Sequence, residues 1–209
     1  MVGRIIETDA DVAEGAAWLA AAEPRFARAL AATGPLPLRR RPDGFATLFG
    51  AVVSQQVSTA SAAAIWARLE AMGATAPEGV RAASDAELRA AGLSRQKIAY
   101  GRGLAESGLD FAALRALPDA EVVAALVRLK GVGVWTAEIY AMFSLGRADV
   151  FAPGDLALQE AARMVFELPS RPREPELREM SLAWTPWRGV AARLLWAWYR
   201  VANGREGVR

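Results

Sequence analysis

The stretch LKGVGVWTAEIY, residues 129–140, sets two glycines two apart between two helical patterns. Upstream, LPDAEVVAALVRLKG offers Pro118 and Asp119 at a helix start. Its apolar residues Val122, Val123, Leu126, Val127 and Leu129 then have amphipathic spacing. Residues 129–133 are too few for an ordinary loop and too rich in glycine for a helix interior. Gly131 and Gly133 permit positive φ and close backbone approach. A helix beginning at Val134 has its first amides unpaired and directed back over those glycines. Such a helix start attracts a phosphate oxygen. Phosphate held by backbone amides carries no base information, which suits sequence-independent DNA binding. The plainer alternative is a helix–turn–helix corner with a glycine cap.

Working outward, helix signals are abundant and strand signals sparse. DADVAEGAAWLAAAEPRFARALAATG reads as one or two helices broken near Pro24, and residues 34–44 as a Pro/Gly/Arg linker. FATLFGAVVSQQVSTASAAAIWARLEAMG predicts two helices, with Ser58 a candidate cap for the second. Ser84 and Ser94 open two more. A helix from about Leu156, a proline-rich break at 169–175 and a last helix from about Trp187 complete the chain. The expected class is all-α.

Composition excludes several chemistries. The 209 residues are 53% hydrophobic, enough for a real core, and carry a net charge of only +2. With no cysteine, there is no disulfide, cysteine zinc site or cysteine-held iron–sulfur cluster. With no histidine, a Ser-His-Asp triad and an imidazole base are impossible. Lys97 and Lys130 are the only lysines, so side-chain Schiff-base chemistry has two candidates. The N-terminus has no apolar signal core and no run is long enough to span a bilayer, so a soluble, cytoplasmic location is expected.

LKGVGVWTA resembles the signature of the helix-hairpin-helix DNA glycosylase superfamily, and most closely its 3-methyladenine DNA glycosylase II branch. Three further segments in order share the likeness: GAVVSQQVSTASAAAIWARL, GLSRQKIAYGRGLAE and WTPWRGVAARLLW. It covers roughly residues 43–200. The resemblance implies two helical subdomains with a cleft between them. One would span 44–149 and carry the hairpin at 129–133; the other would combine 1–43 with 150–209. It also implies a Na+ or K+ held at the hairpin by the carbonyls of Val127, Leu129 and Val132, with no cofactor needed for catalysis.

In that superfamily an essential aspartate follows the hairpin, and here Asp155 lies twenty positions after Trp135. Breaking an N-glycosidic bond builds positive charge on the sugar, which a fixed carboxylate stabilises. Asp155 also reads simply as the cap of the helix that follows, and both roles can hold. Members with a nucleophilic lysine place it two residues after the second glycine, where this chain has Trp135. The resemblance therefore implies a monofunctional enzyme that flips alkylated bases of the 3-methyladenine and 7-methylguanine type out of double-stranded DNA, as a nucleoid-associated monomer. A lyase for oxidised bases using Lys130 or Lys97, or an idle DNA-binding module, are the rivals.

A cationic base suits aromatic faces, and two tryptophans align with pocket positions. Trp187, Val190, Ala191, Leu194, Leu195 and Trp198 share one stripe of the last helix. Trp196 falls opposite, near Gly189 and Arg193. Trp135 begins the second hairpin helix. Core packing is the alternative for each. Gln56 occupies the position from which longer relatives insert a wedge into the emptied stack; its plainer role is to cap a helix end. Phosphate binding falls to the backbone of Gly131, Gly133 and Val134.

Overall fold

The computed structural model describes residues 2–204. In chain order the helices are α1 Asp9–Ala22, α2 Pro24–Thr33, α3 Phe45–Val53, α4 Thr59–Ala71, α5 Pro77–Ala82 and α6 Asp85–Ala90. There follow α7 Arg95–Glu106, α8 Asp119–Val127, α9 Val134–Phe143, α10 Leu156–Val165, α11 Glu174–Ser181 and α12 Arg188–Asn203. Extended pairing among the described residues is confined to one isolated bridge, Ile5 with Arg147. No helix among them is long and apolar enough to cross a membrane.

Caps account for most boundaries. Ser58, Ser84 and Ser94 each accept an amide of the following first turn, at Ser61, Glu87 and Lys97. Pro24 begins α2 at a position that needs no N–H, so the break there is sharp. Two helices went unanticipated. α5 is six residues long and contains a glycine. α11 lies partly in the proline-rich segment read as a break. Pro175 sits in its first turn, where proline is tolerated, and Glu176 bonds back to the Arg173 amide.

The chain forms two compact units. Residues up to Arg40, with those from Ala141 onward, make a discontinuous one; Arg41–Tyr140 make the other. The second boundary thus falls inside α9 rather than at 149/150. In the discontinuous unit α12 packs on α10, α2 and α1. Its centre is aromatic: Phe26 meets Phe166 edge-on at 5.3 Å, and Phe166 stacks on Trp184 at 5.6 Å. Gly15 allows α1 to reach Trp187, because a Cβ there would lie 2.6 Å from the indole.

In the Arg41–Tyr140 unit α7 is the spine, packed on α3, α5 and α6. Leu48, Phe49, Val52, Leu69, Leu88 and Leu126 form its core. Two cations of α7 serve helix ends. Arg102 donates to the Val80 and Ala83 carbonyls at 2.8 and 2.7 Å, closing α5. Lys97 donates to those of Val53 and Gln55, both at 2.7 Å, closing α3.

Candidate active site

Asp155 caps α10. Its Oδ1 accepts the Ala157 and Leu158 amides at 2.9 and 3.1 Å, and the Trp196 indole N–H at 3.3 Å. The helix dipole favours negative charge at this end. The carboxylate is half-buried, and the next residue, Leu156, is 61% exposed. The sequence Pro-Gly-Asp before an apolar-periodic run makes this cap; the approach of α12 adds the indole.

Trp196 is half-buried and lies 5.8 Å from the Phe143 ring at a 34° tilt. The Arg193 guanidinium also lies over the Phe143 ring, 4.8 Å from its centroid. Arg193 is only 1% exposed, and it donates to the Gly189 carbonyl at 2.7 Å and to that of Leu38 at 3.1 Å. Burial, with Arg39 and Arg40 nearby, pushes the guanidinium down to about 10, so it remains a cation at neutral pH. The face of α12 opposite the apolar stripe is therefore not solvent-facing, as an amphipathic helix would have it; Gly189 and Arg193 are buried as well. Over residues 189–195 α12 is buried on every side. Trp184 and Trp187 are core residues, whereas Trp66 and Trp198 are only half-buried.

The other unit carries the hairpin. Of its two glycines, Gly131 takes positive φ, +89°, and a Cβ there would lie 2.4 Å from the Tyr100 ring. Gly133 does not take positive φ, and a Cβ on it would meet nothing within 4 Å. It is exposed, as is Val134. The Ala137 amide, bonded to the Gly133 carbonyl at 3.0 Å, makes the first bond of α9, so the amides of Val134, Trp135 and Thr136 precede it. Trp135 is 46% exposed on that first turn. Val127, expected on the apolar face of α8, is exposed because that helix ends there; Val122 and Leu126 are the buried pair.

A hard alkali cation takes oxygen donors, and the hairpin offers backbone carbonyls. The Leu129 carbonyl accepts the Val132 amide at 3.0 Å, which uses one of its two lone pairs.

Gln56 follows α3 in a turn. It is exposed, and its φ of +56° is left-handed, a rare conformation for a residue with a side chain. It does not cap α3; Lys97 closes that helix instead. Its neighbour Gln55 donates to the Gly131 carbonyl at 2.9 Å. Sequence reasoning left out Phe143, Arg193, Gln55 and Tyr100. No local pattern marks them, because each acts on a partner far along the chain.

Residues 49–187 match the family described as HhH-GPD superfamily base excision DNA repair protein. The chain is 33% identical over 171 residues to DNA-3-methyladenine glycosylase 1 of Schizosaccharomyces pombe, an alignment covering 78% of this chain and 75% of that one. Among solved structures, a DNA-3-methyladenine glycosidase from Bacillus halodurans superposes with a TM-score of 0.79 and 35% identity, over 89% of this chain and 88% of that one. A 3-methyladenine DNA glycosylase of Schizosaccharomyces pombe in complex with abasic DNA superposes with a TM-score of 0.75 and 25% identity, over 94% of this chain and 100% of that one. A likeness that spans most of the chain in both sequence and fold identifies the architecture: the chain belongs to the HhH-GPD superfamily of base excision DNA repair proteins.

Proposed function

We propose that this protein is a monofunctional DNA glycosylase that removes alkylated bases of the 3-methyladenine and 7-methylguanine type from double-stranded DNA, acting as a monomer. The observation that carries the reading is the Asp155 carboxylate, held by two helix amides and the indole of Trp196 beside an aromatic face. Alkylation at a purine ring nitrogen makes the base cationic. When the C1′–N bond breaks, its electron pair leaves with the base and neutralises it. Positive charge then develops on the sugar, and the Asp155 carboxylate stabilises that charge. Water adds to C1′ and loses its proton to solvent or to Asp155, leaving an abasic site. The base needs no proton from the enzyme, which agrees with a chain lacking histidine.

Extrusion of the base falls to the other unit. The amides of Gly133 and Val134 hold a backbone phosphate, with Gly131 shaping the turn. Gln56, exposed and left-handed, fills the gap in the stack. Trp196 receives the flipped base through stacking and cation–π attraction, and Trp135, exposed on the first turn of α9, offers a face of the same kind in its own unit. A Na+ or K+ on the Val127, Leu129 and Val132 carbonyls would stiffen the hairpin. Lyase chemistry has no support in Lys97, whose ammonium is spent on two backbone carbonyls.

The direct test is product analysis. Purified protein incubated with methylated duplex DNA should release methylated purines, leave abasic sites without strand scission, and form no covalent adduct under borohydride. Release of no base would overturn the assignment, and a trapped adduct would convert it to a lyase.

A further inference from the structure

The chemistry above leaves Lys97 without a role, yet it holds one of the most constrained positions in its unit. From the first turn of α7 its ammonium bridges the carbonyl of Val53, the last residue of α3, and that of Gln55 beyond it. Gln55 sends its side-chain amide to the Gly131 carbonyl. One turn along α7, the Tyr100 ring lies against Gly131, and Gln96 donates to its hydroxyl. The same helix thus grips the start of the turn that carries Gln56 and the hairpin that carries the phosphate-binding amides. Between the two runs the Gln55 side chain. Gln56 itself stands in a left-handed conformation that persists only where its neighbours over-determine it.

We propose that Lys97 is a positioning residue for base extrusion. Through the Val53 and Gln55 carbonyls it fixes the turn that presents Gln56 in register with Gly131, so that the wedge enters the duplex at a set distance from the held phosphate. The inference rests on the reading of Gln56 as the wedge. A residue with this task matters most when a base must be pulled from a paired stack. It matters little when the base is already loose. A lysine that merely completes a helix end affects both alike.

The experiment compares two duplexes, each carrying one 7-methylguanine, in single-turnover base release by the full chain. In one the lesion pairs with cytosine; in the other it faces an abasic analogue. Lys97→Met should slow release from the paired duplex about 10- to 50-fold and from the unpaired one about twofold or less, since only the first demands unpairing and unstacking by the protein. Lys97→Arg should recover most of the paired rate, and the melting temperature and affinity for undamaged duplex should stay near wild type. Gln55→Leu leaves the Lys97 bonds in place and cuts the tie to Gly131; it should show the same paired-selective loss in smaller measure, and it decides the matter should Lys97→Met fail to fold. Equal losses on both duplexes, or none on either, would overturn the proposal. Wild-type protein inactive on both would instead bring down the glycosylase reading itself.

Discussion

In the discontinuous unit the candidate groups are side chains tied to one another: a half-buried carboxylate on helix amides, an indole on that carboxylate, and a phenyl ring in contact with both the indole and a buried guanidinium. In the Arg41–Tyr140 unit they are mostly main chain and exposed: the amides at Gly133 and Val134 and a turn bearing Gln56. The contrast is what the two proposed tasks would require. Stabilising a developing charge requires an oppositely charged group that does not reorganise, and burial with several donors holds it still. Holding a polyanion of any sequence requires donors that carry no base preference, which the backbone of a glycine hairpin supplies.

Substitutions can break that division of labour. The largest effect is expected at Asp155→Asn. Asparagine caps a helix as well as aspartate does, so the melting temperature should hardly move. Base release should fall by about 10²–10³ or more with loss of the charge. Affinity for duplex DNA should be unchanged; a parallel loss of binding in a filter or anisotropy titration would show that the two tasks are not separate.

The hairpin glycines come next, and they should part company. Gly131→Ala must adopt φ near +89° and drives a methyl to 2.4 Å from the Tyr100 ring. Strain and overpacking together should cost about 2–4 kcal/mol in urea unfolding. Gly133→Ala meets no neighbour, so stability should change by less than about 1 kcal/mol. Under the proposed phosphate-binding role its methyl would stand in the path of the phosphate, and duplex affinity should drop severalfold with the rate at saturating enzyme preserved. Equal stability losses in the two variants would contradict the geometry of the turn.

The smallest effect sharpens the comparison at high pH. Burial pushes the Tyr140 phenol up to about 12, and its oxygen accepts the Gly44 amide at 2.7 Å. Above pH of about 10 the unfolded chain loses this proton while the folded protein keeps it. Stability therefore falls as pH rises from about 10 to about 12, with a slope near 1.4 kcal/mol per pH unit from this group. Tyr140→Phe should remove that component, at a neutral-pH cost of about 1 kcal/mol for the lost hydrogen bond. Denaturant melts of both proteins at pH 7 and pH 11 measure the difference; an unchanged alkaline slope would place the sensitivity elsewhere.

How far the sequence could be read depended on how local each signal was. Ser84 and Ser94 announce their helices because a cap lies within four residues of the amides it serves. Pro175 misled, since a proline that ends most helices is harmless in a first turn, and only the Arg173–Glu176 capping bond distinguishes the cases. Arg193 misled for another reason. Helical periodicity predicts one buried face, but α12 has neighbours on both sides, and a charged residue at the wrong phase was buried by contacts to Leu38, more than 150 residues away.

From the chain alone came an all-helical fold, a glycine hairpin between two helices, an aspartate at a helix start and the want of histidine, cysteine and a lysine after the hairpin, since each is a matter of residue type or short-range spacing. Tertiary structure decided that Trp196 bonds Asp155, that Phe143 meets that indole and Arg193 meets Phe143, and that Lys97 and Gln55 join the Gln56 turn to Gly131. These contacts link residues 41 to 76 positions apart. Backbone periodicity holds no record of such pairings; packing of the assembled helices selects them.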